Sequence, residues 1–200
     1  MNMKTLTIGA LILAMTGITG FAQEQSAVIQ ETEGTVEVQL PGESWQIVTA
    51  GDAVPISAKI STGFNASARI QVTETTSVTV DPLTRVVVED IALDEGISRS
   101  ELSLQVGRVN GSVSEVSDRE TEFDVSSPVA TASVRGTEFA FDGEELSVSE
   151  GKVGFISAIG RSHSVSAGEE NFTYSTADQP EAPAAARVGR RSVSANTAMR

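Results

Sequence analysis

The sequence predicts an all-β fold, with short strands forming a twisted β-helix-like or sandwich-like single domain. Three observations lead there. From Gly34 onward apolar residues recur with period two in several separate runs. Turn-forming residues, chiefly Gly, Pro and Asp, stand between those runs. No window of helical length carries a 3.6-residue apolar repeat.

The elements follow in order. Val36, Val38 and Leu40 alternate with Thr35, Glu37 and Gln39, and Ala68, Ile70 and Val72 alternate with Arg69, Gln71 and Thr73. Leu102, Leu104 and Val106 alternate with Ser103 and Gln105, and Leu146 and Val148 alternate with Ser147 and Ser149. Such alternation marks half-buried strands, because successive side chains leave opposite faces. Pro41-Gly42, Gly51-Asp52, Thr62-Gly63, Asp81-Pro82, Gly151 and Gly168 are the expected turns. Phe139 to Leu146 is the clearest hairpin, since Asp142-Gly143 suits the positive-φ turn that joins antiparallel strands.

An internal echo links two distant stretches. Glu33-Gly34-Thr35-Val36 leads to Val48-Thr49-Ala50-Gly51-Asp52, and Glu150-Gly151-Lys152-Val153 leads to Val165-Ser166-Ala167-Gly168-Glu169. They align without gaps, which predicts two equivalent hairpin units near opposite ends of the domain. Two copies are too few for a long solenoid.

Both termini differ from this body. Lys4, an uncharged apolar stretch from Leu6 to Phe21 and the small residues Gly20 and Ala22 have the layout of a secretory signal peptide over residues 1–22, cut after Ala22. The β domain is expected over 27–175. Residues 176–200, with Pro180, Pro183 and Gly189 among Ala and Arg, are expected to form a disordered basic tail. The mature protein is then extracytoplasmic and not integral to the membrane.

Composition narrows the chemistry. Among 200 residues there are 27 acidic and 14 basic ones, for a formal charge of −13. Phosphate backbones and anionic lipid heads should repel such a chain, so no nucleic-acid partner is expected. The absence of cysteine excludes disulfides, thiolate metal sites and cysteine catalysis. A hydrolytic triad would need His163, the only histidine, and no nucleophile-elbow serine motif accompanies it. One Trp and one Tyr leave little to stack a sugar, and Trp45 reads as a core residue capping its hairpin. Glu89-Asp90 with Asp94-Glu95-Gly96, and Asp142 with Glu144 and Glu145, are candidate calcium ligands, but neither has the spacing of a calcium loop. No catalytic, cofactor or metal residue is therefore expected, with calcium the one cofactor left open.

The run from Leu102 to Val113, followed by Phe123 to Phe139 with Ser127-Pro128-Val-Ala130-Thr-Ala132-Ser-Val134-Arg135-Gly136-Thr137, resembles the FecR domain family. Trp45, Val48 and Gly51, then Ile60, Thr62 and Gly63, are similar to its opening, and Glu150-Gly151 with Ala167-Gly168-Glu169 to its close. The resemblance extends from about Gly34 to Glu169. It implies a bacterial envelope protein with short strands wound into a β-helix-like body. The family's best-known members sense an outer-membrane iron transporter and signal to a cytoplasmic sigma factor. This chain is expected to be a stand-alone module, because Met1 leads into the leader and little length follows Tyr174.

Pro128, Ala130, Ala132, Val134, Arg135, Gly136 and Thr137 have a structural reading first. Pro128 fixes its own φ and biases Ser127 toward extended geometry, starting a strand. Ala130 and Ala132 permit close packing, and Gly136 suits a bulge or bend. Thr137 can hydrogen-bond backbone there, and Arg135 has carboxylates to pair with. The expected function is a non-enzymatic interaction module of the bacterial periplasm or cell surface, linked to envelope sensing, with an unknown envelope protein or polymer as partner. A self-assembling or adhesive envelope component is the alternative, and an acidic-residue glycan hydrolase the remote one.

Overall fold

The computed structural model describes residues 25–172 apart from Glu95 and Asp118. The leader expected over 1–22 and the tail expected over 176–200 lie outside the described residues. The strands are β1 (Ser26–Glu33), β2 (Val36–Gln39), β3 (Gln46–Ile47), β4 (Ala53–Pro55), β5 (Lys59–Thr62), β6 (Ser67–Gln71), β7 (Thr76–Val80) and β8 (Arg85–Asp94). They continue as β9 (Ile97–Val106), β10 (Val109–Val113), β11 (Glu120–Ser126), β12 (Ala130–Phe141), β13 (Glu145–Ser157), β14 (Ser162–Ser166) and β15 (Glu170–Phe172). The fold is all-β.

All the strands belong to one sheet that branches at β12. One limb runs β3-β2-β5-β8-β9-β11 and pairs with the first half of β12; the other runs β4-β1-β6-β7-β10 and pairs with its second half. β13 covers the opposite edge of β12 along nearly its whole length. Consecutive strands repeatedly change limb, as β1 to β2, β7 to β8 and β9 to β10 do, so the chain coils around a shared interior. Among the described residues every strand pairing is antiparallel except β9 with β11.

Alternation in sequence becomes alternation in burial. In β11, Thr121, Phe123 and Val125 are buried while Glu120 faces solvent; in β9, Leu102 and Leu104 are buried and Arg99 and Glu101 are exposed. The inward residues of both limbs form one apolar cluster, and each full burial of a Phe or Leu contributes about 1.5–3 kcal/mol. Phe123 meets Phe139 at 6.0 Å between ring centroids, and Phe141 meets Phe155 edge-on at 6.2 Å. Gly111 makes room for the first pair, since a Cβ there would stand 2.2 Å from the Phe139 ring.

The internal echo is structural. Val38 pairs with Gln46 and, 117 residues later, Phe155 pairs with His163; Glu37–Ile47 and Gly154–Ser164 correspond in the same way. Thr49 N–H donates to Asp52 Oδ2 at 2.7 Å, and Ser166 N–H donates to Glu169 Oε2 at 2.9 Å. β4 then returns to β1, and β15 returns to β13. The first unit ends both limbs at their far edges, and the second covers them where they meet at β12.

Three local expectations change. Gly151 is not a turn between strands. It lies inside continuous β13, where pairing passes from β15 to β14, and its φ of +84° bends the strand there. Pro128 does not start a strand: it sits in the β11–β12 turn, where Ser127 Oγ accepts the N–H groups of Val129 and Ala130. Trp45 is half-buried rather than core, with the Arg85 guanidinium 5.3 Å from its ring centroid. The hairpin is too short to roof an indole, and a cation covers it instead.

Candidate functional site

The family-signature residues meet at the corner where β12 passes from one limb to the other. Ala130, Ala132 and Val134 point inward and are buried, with Ala132 opposite both Val125 and Phe155. A larger side chain at Ala132 would press on that ring. Gly136 then turns the strand with φ +55°, and a Cβ there would lie 2.4 Å from Glu115 Cγ. Thr137, 1% exposed, donates its hydroxyl to Arg135 O at 2.8 Å and lies 3.2 Å from Lys152 O. It thereby satisfies carbonyls that the bend takes out of the ladder.

Arg135 leaves this corner outward. Its Nη1 donates to Glu120 Oε1 at 2.6 Å and its Nη2 to Glu122 Oε1. Glu122 Oε2 accepts Arg99 Nε at 2.9 Å and Nη2 at 2.7 Å. Hydrogen bonding and charge from Arg99, joined by Arg135, hold the Glu122 carboxyl below the usual glutamate range against the opposing effect of burial. Strand register explains the meeting: Arg99 pairs with Glu122, and Phe123 pairs with Val134, which sets Arg135 beside Glu122. On the same outer face, Asp90, Glu101 and Asp124 stand opposite one another on β8, β9 and β11. That second row lacks cations, and burial together with Asp124, Glu89 and Asp90 pushes the Glu101 carboxyl upward.

Beside the corner lies a shallow groove of about 340 Å³ lined by Ser112, Glu115, Gly136, Thr137, Glu138 and Glu150. The Asp142 carboxylate is occupied by its own hairpin. Its Oδ1 accepts the Glu144 and Glu145 N–H groups, and its Oδ2 accepts Arg108 Nη2 at 3.1 Å. Burial acts to raise its pKa, but these bonds prevail and lower it. His163 is exposed on edge strand β14, at the position Gln46 occupies in the first unit.

Sequence reasoning anticipated a carboxylate partner for Arg135 and missed which one. It also missed Arg99, Asp90, Glu101 and Asp124 as a set. The available signal was the i, i+2, i+4 spacing of Glu120, Glu122 and Asp124, which places all three on one strand face.

Together the corner and the outer face define a β-sheet scaffold whose most distinctive motif builds the sheet's bend and its ion pairs. Residues 58–154 match the family described as FecR protein. Two crystal structures of a candidate anti-sigma factor from Parabacteroides distasonis ATCC 8503, at 1.65 and 2.50 Å resolution, are similar to this chain. Each is 19% identical with a TM-score of 0.46, covering 56% of this chain and 52% of that one, so the match spans about half of that protein. No curated protein matches this chain.

Proposed function

We propose that the protein is a non-enzymatic interaction module of the bacterial cell envelope, exported by its leader and engaged in envelope sensing or signalling through another envelope protein or polymer. The observation that carries this reading is the match to the FecR family. The signature side chains are engaged within the molecule, on the bend at Gly136 and in the Arg135 pairs, which leaves the rest of the outer sheet face and the strand edges as the working surface. Fractionation of cells producing the full chain tests the first half: the product is expected in the periplasmic or extracellular fraction, shortened by the leader. Recovery of the intact chain from the cytoplasm contradicts it. A photo-crosslinking residue at Ala92, on the outer face, is expected to give one discrete adduct in whole cells. Glycan hydrolysis that disappears on a single Asp or Glu substitution would replace the module with an enzyme.

Self-assembly is the second reading, and β14 is what favours it. This edge strand has five residues and no formal charge, whereas β3 has two residues and β4 ends in Pro55. Uncharged edges of that length invite pairing. Light scattering at high concentration separates the readings, because persistent monomers count against assembly.

A further inference from the structure

A second edge differs from β14 in having a groove beside it and carboxylates on it. β9 accompanies β8 from Arg85 to Asp94, but on the other side β5 reaches only Val87, and backbone bonds of Val88 with Ser57 and Ala58 close that ladder. Beyond Val88 this side of β8 has no strand partner among the described residues. Next to it runs a groove of about 630 Å³ whose lining includes Gln25, Val28, Gln71, Val72, Ile91 and Leu93. Val28 and Leu93 are 40% and 45% exposed.

Two further observations bear on the two faces of this part of β8. Gln25 lines it, and its Oε1 is buried without a hydrogen-bond partner among the described residues. So are the hydroxyls of Ser98 and Ser100, each 1% exposed, on the sheet face that carries Leu93 and Ile91, their cross-strand partners. Unpaired buried polar atoms are uncommon and call for an explanation. On the opposite face of the same strands, Glu89, Asp90, Glu101 and Asp124 gather, with no direct ion pair to any of them among the described residues. One side of β8 is thus largely apolar, and the other carries a row of carboxylates to which Arg99, already paired with Glu122, is the neighbouring cation.

We propose that Asp90–Asp94 of β8 accepts an added strand: an extended segment of another protein in which apolar and basic residues alternate. Its backbone would continue the β8 ladder, its apolar side chains would enter the groove beside Ile91 and Leu93, and its Lys or Arg residues would lie beside Asp90 and Asp94, with Glu101 one strand further in. The period-two geometry of a strand imposes this alternation. A second copy is disfavoured, because pairing this edge with itself would set Asp90 and Asp94 against like charges.

The proposal rests on the interaction-module reading. Its probe is a fluorescent heptapeptide, Lys-Val-Lys-Ile-Lys-Val-Lys, titrated against the full chain by anisotropy, with an isomer carrying its four lysines in one block as control. The alternating peptide is expected to bind about tenfold tighter than the block isomer. Leu93→Ser is expected to weaken it about fivefold, and Asp90→Asn with Asp94→Asn to weaken it similarly and flatten its salt dependence. Unchanged melting of these variants shows that the fold is intact. Equal affinity for the two isomers, or indifference to both sets of substitutions, overturns the proposal, as does a wild-type dimer that the same substitutions dissolve. If the peptide fails while the Ala92 adduct persists in cells, the β8 edge is refuted and the interaction module stands.

Discussion

The first and last units of the domain, residues 26–55 and 145–172, share turn chemistry and pairing register but differ at their bends. In the first, Gly34 is a free-standing corner between two strands, at φ +67°, and a Cβ there would come within 2.9 Å of Ala66 Cβ and Asn65 O. In the second, Gly151 sits inside a continuous strand against the Gly136 bend, and a Cβ would stand 2.5 Å from Gly136 O. The same local sequence thus serves as a corner at one place and as half of a paired bend at the other. What decides is the neighbour: β13 runs beside β12, which bends at Gly136, and β1 has no bent partner of that kind.

Substitutions at equivalent positions test this contrast. Gly151→Ala combines a left-handed backbone with a clash against a carbonyl that cannot move aside, so a loss of about 3 kcal/mol or more is expected. Gly34→Ala should cost about 2 kcal/mol, because its neighbours lie at a turn that can give slightly. Urea denaturation measures both, and a reversed order would break the comparison. Gly51→Ala and Gly168→Ala, at φ +98° and +82° with open space around each, should cost about 1 kcal/mol each and match one another.

A smaller effect is expected at the corner that only the second unit touches. Arg135→Ala should lower stability by less than about 1 kcal/mol, since the guanidinium is more than half exposed and solvent screens its pairs. The more telling readout is the Glu122 carboxyl, whose NMR titration should move up toward the ordinary glutamate value. Because its folded pKa lies below the unfolded one, its contribution is present above the unfolded pKa and is lost as pH falls through the folded pKa. Glu101 works in the opposite direction: its raised folded pKa lowers stability at neutral pH, and protonation relieves that cost. Smallest of all, the melting midpoint is expected to stay the same with and without a calcium chelator; a higher midpoint in calcium would assign the acidic loops a metal.

Much of this architecture was legible beforehand. Strand identity at Val36–Leu40, Ala68–Val72 and Leu102–Val106 followed from alternation, the Asp142-Gly143 hairpin from turn chemistry, and the paired units from one constant offset. Arg135, Gly136 and Thr137 were legible as a bend with a hydroxyl and a guanidinium to place. The role of Gly151 was not, because a glycine that ends a strand and one that bends it look alike in sequence. Trp45 was misjudged because the depth of its hairpin depends on the neighbouring β8, which supplies Arg85. The carboxylate row was hidden for a related reason. Asp90 and Glu101 meet across the β8–β9 hairpin, but Asp124 joins them only through the parallel pairing of β9 with β11, and parallel register is not set by a tight turn.

Period-two alternation and positive-φ glycines are properties of a few adjacent residues, so the order of the chain alone established the strands, the corners and the repeated unit. Which charges on β9 and β11 face one another, and which edge of β8 is left open beside a groove, depended on register between strands separated by 20 or more residues. That register is chosen by the shared core and by the path of β12, and it exists only once both limbs have closed on the same interior.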